Sequence, residues 1–83
     1  MNNTVLLIDD EANVLAALKR ALMEEPYELA TAMSGDEALR VMAAQRFKVV
    51  VSDERMPGIS GAEFLARVRQ QYPDTVRIML TGH

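Results

Sequence analysis

Three aspartates and a threonine stand where short apolar runs end: Asp9 and Asp10 after TVLLI, Asp53 after VVVS, and Thr81 after VRIML. Carboxylates drawn to one place repel one another and raise each other's pKa, so such a group is unfavourable unless a cation neutralises it. A hard divalent ion suits it. Magnesium takes a few carboxylate oxygens and fills its other positions with backbone carbonyl, water and phosphate oxygens. A carboxylate free to attack phosphorus would form an acyl phosphate, with the metal offsetting charge on the transferred group. The residue types therefore point to phosphoryl chemistry at an acidic Mg²⁺ site, provided the chain brings these run ends together.

The elements that must do so alternate along the chain. Thr4 to Ile8 is a continuous apolar run that stops abruptly at carboxylates, the pattern of a strand buried on both faces. From Ala12 to Glu24, Val14, Leu15, Leu18 and Leu22 recur at helical spacing, with Lys19 and Arg20 off the stripe and Pro26 beyond the end. Tyr27 to Ala32 predicts a short second strand. A second helix opens at Ser34, which with Glu37 has capping-box spacing, and its inner face is Ala38, Leu39 and Met42. Val49 to Val51 is a β-branched run leading through Ser52 to Asp53, again a central strand rather than an edge. After the turn-rich MPGIS, Ser60 and Glu63 repeat the capping-box spacing, and Phe64, Leu65 and Val68 face inward until Tyr72 and Pro73 close the helix. Val76 to Leu80 predicts a fourth strand. The methionines fall mostly at helix and strand positions, which suits core filling better than a recognition surface.

The order β-α-β-α-β-α-β favours right-handed crossovers between parallel strands, giving an α/β sheet with helices on both faces. In such a sheet ligands sit outside the carboxyl ends of the strands, where Asp9, Asp10, Asp53 and Thr81 would meet. Pro57, Gly58 and Gly61 set a turn and a close approach before the third helix and need carry no chemistry. His83 is the sole histidine and has no partner at metal-ligand spacing. With 83 residues the chain holds one domain, 1–83, with a single small core. It has no cysteine, which excludes disulfides and thiolate metal sites. Its N-terminus reaches carboxylates too soon for a signal peptide or membrane span. A net charge of −3 with interleaved signs offers no basic stripe, so direct nucleic-acid binding is not expected. A soluble cytoplasmic protein is the expectation.

LLIDD, VVVSDERMPGISG and IMLTGH, in that order and spanning the chain, resemble the receiver domain of two-component response regulators. The resemblance implies a flavodoxin-like, doubly wound parallel sheet with strand order 2-1-3-4. It implies that Asp53 is the phosphoacceptor, charged by a sensor histidine kinase, and that the domain is a bacterial cytoplasmic signalling switch rather than an enzyme acting on an external substrate. Asp10 would bind Mg²⁺ directly, Asp9 would support it, often through water, and the backbone carbonyl of Arg55 would complete the protein ligands alongside Asp53. Thr81 occupies the place of the switch hydroxyl, and Gly82 that of a small residue beside the pocket.

A complete domain of that family continues with a fifth strand ending in a lysine, two more helices and an aromatic partner for the switch hydroxyl. The expectation is thus an incomplete receiver, with a C-terminal effector domain beyond this chain, whose fourth strand is left as an edge and drives self-association. A signalling-deficient module that only assembles is the rival function. A phosphatase of the haloacid-dehalogenase class would need DxD after the first strand, where this chain has DDE, and a dinucleotide-binding module would need glycines in DDEAN.

Overall fold

The computed structural model describes residues 3–80. Its elements run β1 (Thr4–Ile8), α1 (Ala12–Leu22), β2 (Glu28–Ala32), α2 (Gly35–Ala44), β3 (Val49–Asp53), α3 (Gly61–Gln71) and β4 (Val76–Leu80). The strands form one parallel sheet in the order β2-β1-β3-β4, the doubly wound α/β arrangement expected. Two boundaries differ: α1 stops at Leu22 rather than reaching Glu24, and β2 begins at Glu28 rather than Tyr27. Met23 closes α1 with its N–H on the Arg20 carbonyl, just ahead of Pro26, which cannot continue a helix.

The two sheet faces are covered unequally. One buries Leu6, Ile8 and Val50 against α2 and α3 through Ala38, Met42, Phe64 and Val68. Phe64, Leu6, Leu7, Val50 and Val68 are fully buried, each contributing about 1.5–3 kcal/mol in transfer terms. The other face packs Val5 and Leu7 against Leu15 of α1, with Leu18, Val49 and Val51 half-buried around them. That cover ends before β4, where Val76, Ile78 and Leu80 are exposed at 52%, 43% and 41%. They pair with Val49, Val51 and Asp53, so they extend the same face.

The helix starts show what capping spacing does and does not settle. Ser34 Oγ accepts the N–H of Glu37, and Glu37 Oε1 accepts the N–H of Met33, one residue ahead of the Ser34 N–H that a capping box would use. Ser60 Oγ likewise accepts the N–H of Glu63. Glu63, however, turns away to pair with Arg67 at 2.7 Å, so this box is only half made. Core filling holds for Met42 and for the partly buried Met56, whereas Met23 and Met33 are exposed. No helix among the described residues is long and apolar enough to cross a membrane.

Candidate functional site

Parallel register places the aspartates. Ile8 lies opposite Ser52 in the β1-β3 pair, so Asp9 and Asp53, one step further along each strand, come level at the carboxyl edge. Asp9 continues the pairing on its other side, its N–H donating to Ala32 of β2 at 3.1 Å. Carboxylate oxygens of Asp9, Asp10 and Asp53 all lie within 4.8 Å of one another. Asp9 is buried, Asp53 half-buried and Asp10 exposed.

The hydrogen bonds give Asp9 and Asp53 separate duties. Asp9 Oδ1 accepts the N–H of Glu11 at 2.9 Å, which satisfies a donor at the start of α1, where Glu11 itself provides no side-chain cap. Asp9 is thus both a helix-start acceptor and a member of the cluster. Asp53 Oδ1 accepts the N–H of Glu54 at 2.8 Å, and among the described residues nothing donates to Oδ2. Burial pushes the Asp9 carboxyl above the ordinary carboxylate range. The Glu11 N–H opposes that shift, and the charges of Asp53 and Asp10 add to it. An all-oxygen donor set whose most buried member resists ionisation fits a hard divalent cation, which would relieve both the repulsion and the desolvation.

The loop 54–60 joins this edge to α3. Its far end is held by the Gly61 N–H donating to the Glu54 carbonyl at 2.9 Å. A Cβ on Gly61 would stand 2.1 Å from the Asp53 carbonyl oxygen, so only glycine lets α3 start this close to the strand that carries Asp53. One carboxylate oxygen of Glu54, Oε1, is buried with no hydrogen-bond partner. Sequence reasoning gave Glu54 no role; its position directly after Asp53 was the only signal. A cleft of about 770 Å³ lies at the opposite end, lined by Phe47, Lys48, Tyr72 and Thr75 near the amino-terminal ends of β3 and β4. The aspartates therefore sit on an open edge rather than in that cleft. Arg55 is placed in the loop with its side chain exposed, while Thr81, Gly82 and His83 lie outside the described residues.

Comparison with known proteins agrees with the fold. A family model described as the response regulator receiver domain matches residues 5–83. The hydrogenase transcriptional regulatory protein HoxA of Cupriavidus necator is 44% identical over 80 residues, which cover 96% of this chain and 16% of HoxA. The chain spans 16% and 17% of the lengths of the first two curated relatives it matches. Among solved structures, the response regulator protein TrrA of Thermotoga maritima in complex with Mg²⁺-BeF is 40% identical with a TM-score of 0.92, and the match covers 100% of this chain and 71% of that one. A crystal structure of histidine kinase ThkA in complex with TrrA matches at 40% identity and a TM-score of 0.90, over 100% of this chain and 72% of the other.

Proposed function

The chain belongs to the response regulator receiver domain family, and from that premise we propose that it is a phosphoacceptor switch in which Asp53 takes a phosphoryl group from a sensor histidine kinase. The observation that carries this is the convergence of Asp9, Asp10 and Asp53 at one sheet edge. The structures of TrrA with Mg²⁺-BeF and with histidine kinase ThkA support the choice of metal and partner.

The step needs few parts. Asp53 Oδ2, to which no described residue donates, attacks the phosphorus of the phosphoryl donor, forming an O–P bond as the bond to the leaving group breaks. That group is a histidine nitrogen from the kinase or acetate from acetyl phosphate. The Glu54 N–H on Oδ1 orients the carboxylate for the attack. Asp10 and Asp9 would hold Mg²⁺ with Asp53 and the Arg55 carbonyl, and the ion when bound offsets charge on the phosphoryl oxygens. Thr81 is the proposed switch hydroxyl. The reaction is an exchange on the protein's own side chain, so the domain acts as a switch and not as an enzyme on an external substrate. A cytoplasmic location and an effector domain elsewhere in the intact protein complete the reading, since HoxA is a transcriptional regulator.

Mg²⁺ titration followed by NMR shifts or calorimetry, which need no tryptophan, tests the metal site. The expected result is weak saturable binding that Asp10→Ala abolishes; titration curves that coincide for the two proteins would contradict it.

A second reading, an assembly module without signalling, is favoured by one observation only: the exposed apolar row Val76, Ile78 and Leu80 on β4. Phosphorylation of Asp53 would exclude that reading, whereas self-association alone is compatible with either.

A further inference from the structure

The start of α2 is pressed against the loop that carries Arg55. Gly35, the first residue of that helix, is buried, and a Cβ there would stand 2.6 Å from Ile59 Cγ1, 2.7 Å from Ile59 Cδ1 and 3.4 Å from Phe64 Cβ. The next residue, Asp36, also reaches the loop: a Cβ on Gly58 would stand 3.5 Å from Asp36 Oδ2. Neither side of the contact yields easily. The helix start is fixed by Ser34 Oγ on the Glu37 N–H and by Glu37 Oε1 on the Met33 N–H. Ile59 is β-branched, hence stiff at χ1, and is itself packed on the core beneath α2 and α3. With the other end of the loop tied through the Gly61 N–H to Glu54, displacement of Ile59 has to be absorbed between residues 54 and 59.

That stretch holds the Glu54 N–H, which fixes Asp53 Oδ1, and the Arg55 carbonyl. We propose that Gly35 is a positioning residue for the acidic site: by presenting no side chain it lets Ile59 seat against α2, and this contact sets the loop that orients Asp53 and supplies the Arg55 carbonyl to Mg²⁺. The inference rests on the phosphoacceptor reading, and it predicts coupling between a helix start that touches no ligand and the metal site.

The test compares Mg²⁺ affinity, by NMR titration of the 83-residue chain, for the unmodified protein, Gly35→Ala, Ile59→Ala, the double variant, and Met42→Ala. Met42 is buried at the far end of α2 and reports general destabilisation of the same core. Gly35→Ala is expected to weaken Mg²⁺ binding about tenfold, at the low end for groups supporting a metal site, and to shift the metal-free amide signals of Glu54 and Arg55. Removing Cγ1 and Cδ1 in the double variant makes room for the new methyl and should recover most of the lost affinity. Met42→Ala should lower the melting temperature and leave affinity unchanged. If Gly35→Ala does not fold, a double variant that folds and binds like Ile59→Ala supports the contact. A Gly35→Ala affinity equal to the unmodified protein's, a double variant no better than Gly35→Ala, or an equal loss in Met42→Ala would each overturn the inference. Absence of Mg²⁺ binding by the unmodified protein would overturn the phosphoacceptor reading and the inference with it.

Discussion

Asp9 shows how one side chain serves structure and chemistry together. Its carboxyl is buried and raised, yet its Oδ1 is also the acceptor for the Glu11 N–H. A carboxyl whose folded pKa lies above its unfolded value binds a proton more tightly in the folded state. Its contribution to stability is therefore complete below the unfolded value, about 3.9, and is lost as pH rises through the raised folded value. Asp9→Asn keeps the acceptor oxygen and remains neutral at every pH. In metal-free buffer it should melt at a higher temperature than the unmodified protein near pH 7, and the difference should shrink as the buffer is acidified toward the unfolded value. Thermal melts across pH check this, and a difference independent of pH would contradict it. Added Mg²⁺ should reverse the order, because the metal stabilises only the chain that presents the full carboxylate set.

Among the elements, the two helix starts make a controlled comparison, since SGDE and SGAE have the same spacing but different outcomes. Glu37→Ala leaves the Met33 N–H without its partner and should cost about 1 kcal/mol by urea unfolding, the scale of an ordinary net hydrogen bond, because water screens the acceptor's charge at this exposed site. Glu63→Ala removes only an exposed pair with Arg67 and should cost less than about 0.5 kcal/mol. Equal costs would refute the distinction. The difference was readable in principle: Arg67 lies four residues after Glu63, where an opposite charge on a helix competes for the carboxylate. What the chain made plain were the central strands, because TVLLI and VVVS are nearly continuous apolar runs of the kind a buried parallel strand carries, whereas VRIML is interrupted by Arg77 and forms the exposed edge strand. Their ends then located the aspartates without any knowledge of contacts. The close approach at Gly61 was expected from the sequence, but the orphaned Glu54 oxygen and the seating of Ile59 on Gly35 were not legible, since each depends on backbone positions distant in sequence or on a loop path that no periodicity encodes. Met23 and Met33 depart from the core filling that holds for Met42 for a related reason: both lie just beyond an element's last residue, where position no longer implies a face.

At the scale of the whole molecule, among the described residues the sheet has one face covered by α2 and α3 and the other by α1 alone. The apolar strip of Val76, Ile78 and Leu80 adjoins a cleft of about 300 Å³ lined by Val5, Leu22, Tyr27, Val49 and Ile78. An apolar surface of this kind beside a strand edge favours pairing with another chain. Sedimentation of the 83-residue chain at low micromolar concentration should show self-association that Ile78→Lys reduces, by placing a charge in the middle of the strip. Unchanged sedimentation in the variant would place any association elsewhere. The central claim, that the gathered aspartates make Asp53 a phosphoacceptor, is met most directly by mass spectrometry of the chain after incubation with acetyl phosphate and Mg²⁺. The account predicts addition of one phosphoryl group, mapped to Asp53, dependent on Mg²⁺ and absent from Asp53→Asn; equal labelling of Asp53→Asn, or no labelling of the unmodified chain, would contradict it.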